Sequence, residues 1–300
     1  MTFLRYSSIT SDNAMQRTRQ SAAVLAFLAF APLAGAAPAS QGGPLLAAAA
    51  TQVLPANGHH SKVALGESIV KLVREGVIER RKFYAVYAQR GGVTEELADL
   101  LNKQSPKPIL LTRRNAGLYV NVLWPIGLAN RMAANQASPL NGASRHRYAS
   151  TGGWTLGRNA SGGDYFNSLS IVNLNASQEA LVVAIARNSF RPCCNNSAFF
   201  QDCNHGSALL GLLALGASQG LSEEDLYREA LAFNVAWFPD NYLHTALYFK
   251  AVKGIEWRDV DARTAMGAAF SSANGWRANV VGELEVRGFL PRQAGPDCSA

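Results

Sequence analysis

The stretch RPCCNNSAFFQDCNHGSALLGLLALGASQG, residues 191–220, decides the fold and holds three of the chain's four cysteines. From residue 206 to residue 219 it contains no charged side chain, and Ala and Leu dominate it. A helix that is apolar on all sides is buried on all sides, because no face of it favours water. The sequence therefore predicts a central helix at about 203–219 in the protein interior.

The two ends of this helix carry residues that favour helix termini. Asp202 is predicted to act as N-cap, since its carboxylate can accept hydrogen bonds from the first turn, and Gly220 suits the position just past the last turn. Three glycines lie inside the helix, and each would cost about 1 kcal/mol against Ala in an exposed helix. We expect them to let neighbouring chain segments approach closely. They are Gly206, Gly211 and Gly216.

The rest of the chain favours a mainly α, single-core fold. Apolar residues recur with helical spacing at about 62–75 and 176–188, and Asn175 with Gln178 resembles a capping box. Short connections between the later helices predict antiparallel neighbours. We assign residues 61–290 to one helical domain, followed by a C-terminal tail at 291–300.

Residues 135–168 break this helical pattern. They are rich in Gly, Asn and Ser, and a loop of this length inside a compact domain is usually functional or disordered. Trp154, Tyr165 and Phe166 argue for an ordered loop. Two interpretations remain open, a loop that lines a cleft and a connector whose aromatic side chains enter the core.

The N-terminal 36 residues are typical of a signal peptide. Arg17 and Arg19 precede an apolar run, and Ala34-Gly35-Ala36 fits a cleavage site, with Met15 as an alternative start. We therefore expect a periplasmic or secreted protein with no transmembrane anchor after cleavage. Residues 37–60 are expected to form a flexible lead-in, and the pair His59-His60 at its end is expected to be solvated.

Composition argues against a nucleic-acid partner. The chain of 300 residues has 16% charged residues and a net charge of +7, and its basic runs are short. Nucleic-acid binding favours a denser basic stripe with aromatic side chains. The sequence indicates no other partner and no oligomeric state.

The cysteines have a structural interpretation. Export makes disulfides the default, and four cysteines allow three full pairings. A bridge from Cys193 or Cys194 to Cys203 would fix the entry to the central helix, whereas Cys298 lies in the tail. The protein would then be a disulfide-stapled binding or structural protein.

A second interpretation is a metal site at the start of the central helix. Cys193, Cys194, Cys203 and His205 can converge there, and thiolate and imidazole ligands suit zinc or copper. The spacing is not one of the common zinc motifs. This is the preferred functional hypothesis, and it gives the protein a role in metal binding or in redox-linked binding.

A third interpretation makes Cys203 a nucleophile activated by the helix terminus and by a histidine, as in a hydrolase or transferase. His205 is the nearest in sequence but should point to a different side of the helix, so His146 or His244, brought near by folding, could serve instead. The chain lacks Cys-x-x-Cys and His-Glu-x-x-His. The sequence consequently favours a non-enzymatic protein, without excluding an enzyme.

Overall fold

The structure, a computed structural model, describes residues 42–291, and it confirms the mainly α fold. The helices, in chain order, are α1 (Gly42–Val53), α2 (Ser68–Arg74), α3 (Arg80–Ala88), α4 (Glu95–Asn102), α5 (Ala116–Ala129), α6 (Ala176–Asn188), α7 (Asn204–Ser218), α8 (Glu223–Trp237), α9 (Pro239–Tyr248), α10 (Ala262–Met266), α11 (Ala268–Ser271), α12 (Ala273–Trp276) and α13 (Gly282–Val286). The predicted signal peptide, Met15 and Cys298 lie outside the described residues.

Helix α7 is the predicted central helix. Every residue from Gly206 to Ala217 is buried, and Gly220 adopts the left-handed conformation (φ 83°) just past the helix end. The two largest apolar clusters of the described residues meet along this helix, since Leu212 belongs to one and Leu210 to the other. The all-round apolar sequence thus places α7 between two halves of the core.

Helices α5 and α7 make the most extensive helix contact, and glycines permit it. A Cβ built on Gly211 would lie 2.4 Å from the carbonyl oxygen of Leu123, and one on Gly127 would overlap the backbone of Ser207. The Ser207 hydroxyl donates to the Trp124 carbonyl across the same crossing at 3.0 Å. The close approach expected at Gly211 is present, and its partner is α5.

The other two glycines of α7 face side chains instead of a backbone. A Cβ on Gly206 would lie 2.7 Å from Nη2 of Arg191, and one on Gly216 would lie 2.6 Å from Cδ2 of Leu226. Gly206 therefore makes room for a buried guanidinium group, while Gly216 makes room for helix α8.

The N-terminal part of the described chain differs from the sequence-based expectation. Residues 42–53, expected to be flexible, form helix α1, which packs on α9 through Ala49 and Val53. The helix expected at 62–75 is instead strand β1 (His59–Gly66) followed by α2. Alternating burial along β1 shows why, because Val63 and Leu65 face the core with a period of two.

Strand β1 pairs antiparallel with β2 (Ser105–Leu111), so that His59 lies opposite Leu111. The pairing is irregular between His60 and Gly66, where β2 contains Pro106 and Pro108. Proline cannot donate to a ladder and is tolerated on edge strands, which fits a sheet of two strands.

The 135–168 loop is ordered and sends aromatic side chains into the core. Short 3-10 turns lie at Ala133–Ala137, Arg145–Arg147 and Gly162–Tyr165. Trp154 is fully buried, donates from Nε1 to the Val77 carbonyl at 2.8 Å, and meets the Trp124 ring edge-on. Of the two interpretations left open for this loop, the connector with buried aromatic side chains is the one observed.

A short-helix region completes the described fold. A π-helical segment at Phe249–Lys253 and a 3-10 turn at Trp257–Asp259 lie between α9 and α10, and a second π-helical segment at Arg277–Val281 joins α12 to α13. Among residues 42–291, none of the helices combines the length and apolar character needed to cross a bilayer.

Candidate metal centre

The site is built where the irregular segment 189–203 meets the start of α7. Cys203, and not Asp202, is the N-cap residue: its Sγ accepts from the backbone N–H of Gly206 at 3.4 Å. The prediction for Asp202 was therefore wrong by one position. Asp202 is drawn away from the helix end because its carboxylate pairs with the buried guanidinium of Arg191.

Three cysteines and a histidine converge at this helix end. The Sγ atoms of Cys193 and Cys203 are 3.7 Å apart, as are those of Cys193 and Cys194. Nδ1 of His205 lies 3.9 Å from Sγ of Cys193. Cys193, Cys203 and His205 form one group able to hold a metal ion, and Cys194, Asp202 and Cys203 form an overlapping one.

Arg191 organises the loop that carries the cysteines. Its side chain is fully buried and donates from Nε to the Cys203 sulfur at 3.2 Å. The same guanidinium bonds the Asn196 carbonyl and the Asp202 carboxylate. A buried cation with this many acceptors fixes the loop, because losing the Asp202 carboxylate would leave the buried charge unpaired.

His205 is held by aromatic rings from the end of α8. Its imidazole lies 4.6 Å from the Phe238 ring and 5.6 Å from the Trp237 ring, centroid to centroid. As the second residue of α7, it leaves the helix beside Cys203, and its Nδ1 faces Cys193. These contacts orient the imidazole.

The electrostatics favour one thiolate in the cluster. Hydrogen bonds with Cys193 and Cys194, supported by the charge of Arg191, hold the pKa of the Cys203 thiol well below its usual range. Contacts with Cys194 and Cys203, together with burial, raise the pKa of Cys193. The contact with Cys193 acts to lower the pKa of Cys194, but Cys203 and burial outweigh it and raise that pKa to about 11.

The described cysteines form no disulfide. Cys193, Cys194 and Cys203 are free thiols, and separations of 3.7 Å far exceed the bond length of about 2.05 Å. The staple predicted between Cys193 or Cys194 and Cys203 is therefore absent. The thiols point at one another instead, since Arg191 and the helix terminus hold Cys203 in place.

The sequence did not predict two of the contributions to this site. The first is Arg191, whose burial and bond to the Cys203 sulfur depend on the folded structure. The second is α12, whose first backbone N–H groups donate to the Cys194 carbonyl at 2.9 Å and to Oδ1 of Asn195 at 2.8 Å. No sequence pattern links residues nearly 80 positions apart, whereas an arginine two residues before a cysteine pair is a local signal that could have pointed to Arg191.

The geometry defines the class of site as a cysteine–histidine cluster able to hold a metal ion. Comparisons with protein-family models, with characterised proteins and with solved structures give no significant match.

Proposed function

We propose that the protein binds a zinc or copper ion through Cys193, Cys203 and His205, with Cys194 as the fourth ligand. The observation that supports this most is the spacing of the sulfur atoms. Tetrahedral zinc with Zn–S bonds of about 2.3 Å requires ligand sulfurs about 3.8 Å apart. The sulfur of Cys193 lies 3.7 Å from those of Cys203 and Cys194, and both separations match that edge.

Asp202 is assigned to the surroundings of the ion and not to its ligands. Its Oδ2 accepts from Asn196 Nδ2 at 2.8 Å and its Oδ1 is paired with Arg191, so both oxygens are engaged. Cys194 has its sulfur 3.7 Å from that of Cys193 and, within residues 42–291, no comparable competing bond. Three thiolates and one imidazole then complete the set.

Arg191 makes such a ligand set electrostatically reasonable. Three thiolates around a divalent ion leave one net negative charge, and the guanidinium that donates to Cys203 lies directly beside it. Donors to ligating sulfurs fix ligand orientation and tune the metal. Soft thiolate ligands select Zn²⁺ or Cu⁺ over the hard cations.

The test is metal analysis of protein purified without chelator, followed by competition titration after gentle reduction. We expect one ion per chain, and Co²⁺ substitution should give the intense visible bands of tetrahedral thiolate coordination. Cys203→Ser should weaken binding by more than about 100-fold, since removing outer partners alone costs about 10- to 100-fold. Affinity should fall as the pH drops, because the thiols must lose their protons.

Matched controls separate ligands from bystanders. His205→Ala should weaken binding, whereas His60→Ala, at an exposed position on β1, should not. Cys298→Ser, outside the described residues, should also leave binding intact. Reduced protein that carries neither metal and takes up neither would overturn the proposal.

One observation favours a second function, in which Cys203 acts as a nucleophilic thiolate. The Arg191 guanidinium and the Gly206 N–H both donate hydrogen bonds to its sulfur. Iodoacetamide labelling of metal-free protein near pH 6 distinguishes the two. Preferential modification of Cys203 that added zinc does not suppress favours the nucleophile, while protection by zinc favours the metal site.

Export remains a separate proposal that rests on the charged, apolar and small-residue succession of residues 1–36. N-terminal sequencing of exported protein tests it, and a chain that still begins at Met1 or Met15 would contradict the cleavage.

A further inference from the structure

A cavity of about 1180 Å³ lies away from the cysteines, between β1, α8 and the 257–263 segment. Val53, Leu231, Val235 and Trp257 give part of its wall an apolar character, and His59 lines it beside them. The volume suits a small organic molecule.

His59 is held by a buried carboxylate. Its Nε2 lies 3.2 Å from Oε2 of Glu229, and the Glu229 side chain is only 4% exposed. The same carboxylate accepts from the Ser61 hydroxyl at 2.6 Å and from the Lys62 backbone N–H at 2.9 Å. Among the residues that the structure describes, Nδ1 of His59 has no hydrogen-bond partner.

This arrangement differs from the solvated histidine expected from the sequence. Burying a carboxylate is costly unless donors surround it, and Glu229 has three. A carboxylate that accepts from one ring nitrogen fixes the orientation of an imidazole. When His59 is protonated, it donates from Nε2 to Glu229 and has Nδ1–H left for an acceptor in the cavity.

Four arginines line the cavity, and one of them has no ion-pair partner among residues 42–291. Three arginines have a carboxylate within 4.0 Å, and the carboxylate of Asp261 caps α10 through Thr264. These pairs are Arg228 with Glu224, Arg263 with Glu223, and Arg258 with Asp259. Arg113 also lines the cavity and, within residues 42–291, has no ion-pair partner.

Arg113 and His59 lie at the same end of the cavity. The sheet register pairs His59 with Leu111, and Arg113 follows two residues after Leu111. A cation and an imidazole donor thus stand together beside an apolar wall.

We propose that this cavity binds a small organic anion, a carboxylate or phosphate ester with an apolar body. Its acidic group would accept from Arg113 and from Nδ1 of His59, and its body would pack on Trp257 and Val235. Charge-assisted hydrogen bonds from a guanidinium are well suited to such groups. The site is independent of the metal proposal.

Calorimetric titration with phenyl phosphate tests the assignment. We expect saturable binding to the wild type, and about tenfold weaker binding to Arg113→Gln, since one charge-assisted bond is lost. Arg114→Gln removes the same charge from the next exposed residue, which does not line the cavity, and should bind as the wild type does. His59→Gln should also weaken binding.

Two further titrations test the dual chemistry. Inorganic phosphate, which lacks the apolar body, and benzyl alcohol, which lacks the charge, should each bind at least tenfold more weakly than phenyl phosphate. The proposal is overturned if phenyl phosphate does not bind at about 10 mM, if Arg113→Gln and Arg114→Gln bind it equally, or if inorganic phosphate binds as well.

Discussion

Replacing Gly211 with Ala tests the close crossing of α5 and α7 on which the core depends. The added methyl would lie 2.4 Å from the Leu123 carbonyl oxygen and 2.9 Å from the Gly127 nitrogen. Both neighbours are backbone atoms, so no rotamer change can relieve the overlap. An ordinary contact requires about 1 Å more, and the helices must separate to provide it.

The magnitude follows from two opposing effects. Overpacking a well-packed core costs about 1–3 kcal/mol, and contact with the backbone on two sides places this change in the upper part of that range. Alanine gains up to about 1 kcal/mol over glycine in helix propensity. We expect a net loss of about 2 kcal/mol, which lowers the Tm by about 4–8 °C for a domain of this size.

The assay is thermal unfolding followed by circular dichroism, with Gly117→Ala as the control. Gly117 lies in α5, is exposed, and a Cβ there meets nothing within 4 Å. That substitution should raise the Tm slightly through helix propensity alone. If Gly211→Ala were as stable as the wild type or more so, the close approach of the two helices would be refuted.

Two other predictions concern buried charge. Arg191→Met in metal-free protein should cost about 3 kcal/mol, because it leaves the partly buried Asp202 carboxylate unpaired. Adding Asp202→Asn should recover part of that loss in urea unfolding, and a single variant with wild-type stability would contradict the role of Arg191. Burial lowers the pKa of His244, which stacks on Trp276 and whose Nδ1 has no hydrogen-bond partner in the described part of the chain. Because the pKa of His244 in the folded state lies below the unfolded value of about 6.5, its contribution to stability should be present above pH 6.5 and be lost as the pH drops. His244→Gln should therefore reduce the difference in unfolding free energy between pH 7.5 and pH 5. If the variant shows the same difference as the wild type, this role of His244 is contradicted.

The sequence determined the parts of the fold that depend on local pattern. The apolar run at 206–219 could only be a buried helix, and α7 is one. The capping box of Asn175 and Gln178 is present as expected, because its hydrogen bonds form within four residues. Convergence of cysteines and His205 at the start of α7 was also predictable, since a short loop joins them.

Tertiary structure decided the roles of those side chains whose partners depend on how the whole chain folds. Asp202 has the side chain of an N-cap, but the buried charge of Arg191 attracts it more strongly than a helix end does. The sequence around His59 is typical of a solvated tail, but in the structure His59 contacts the carboxylate of Glu229, 170 positions away. Local pattern cannot show which cation or carboxylate a side chain will meet, because that choice minimises the free energy of the whole packed chain and not of the segment.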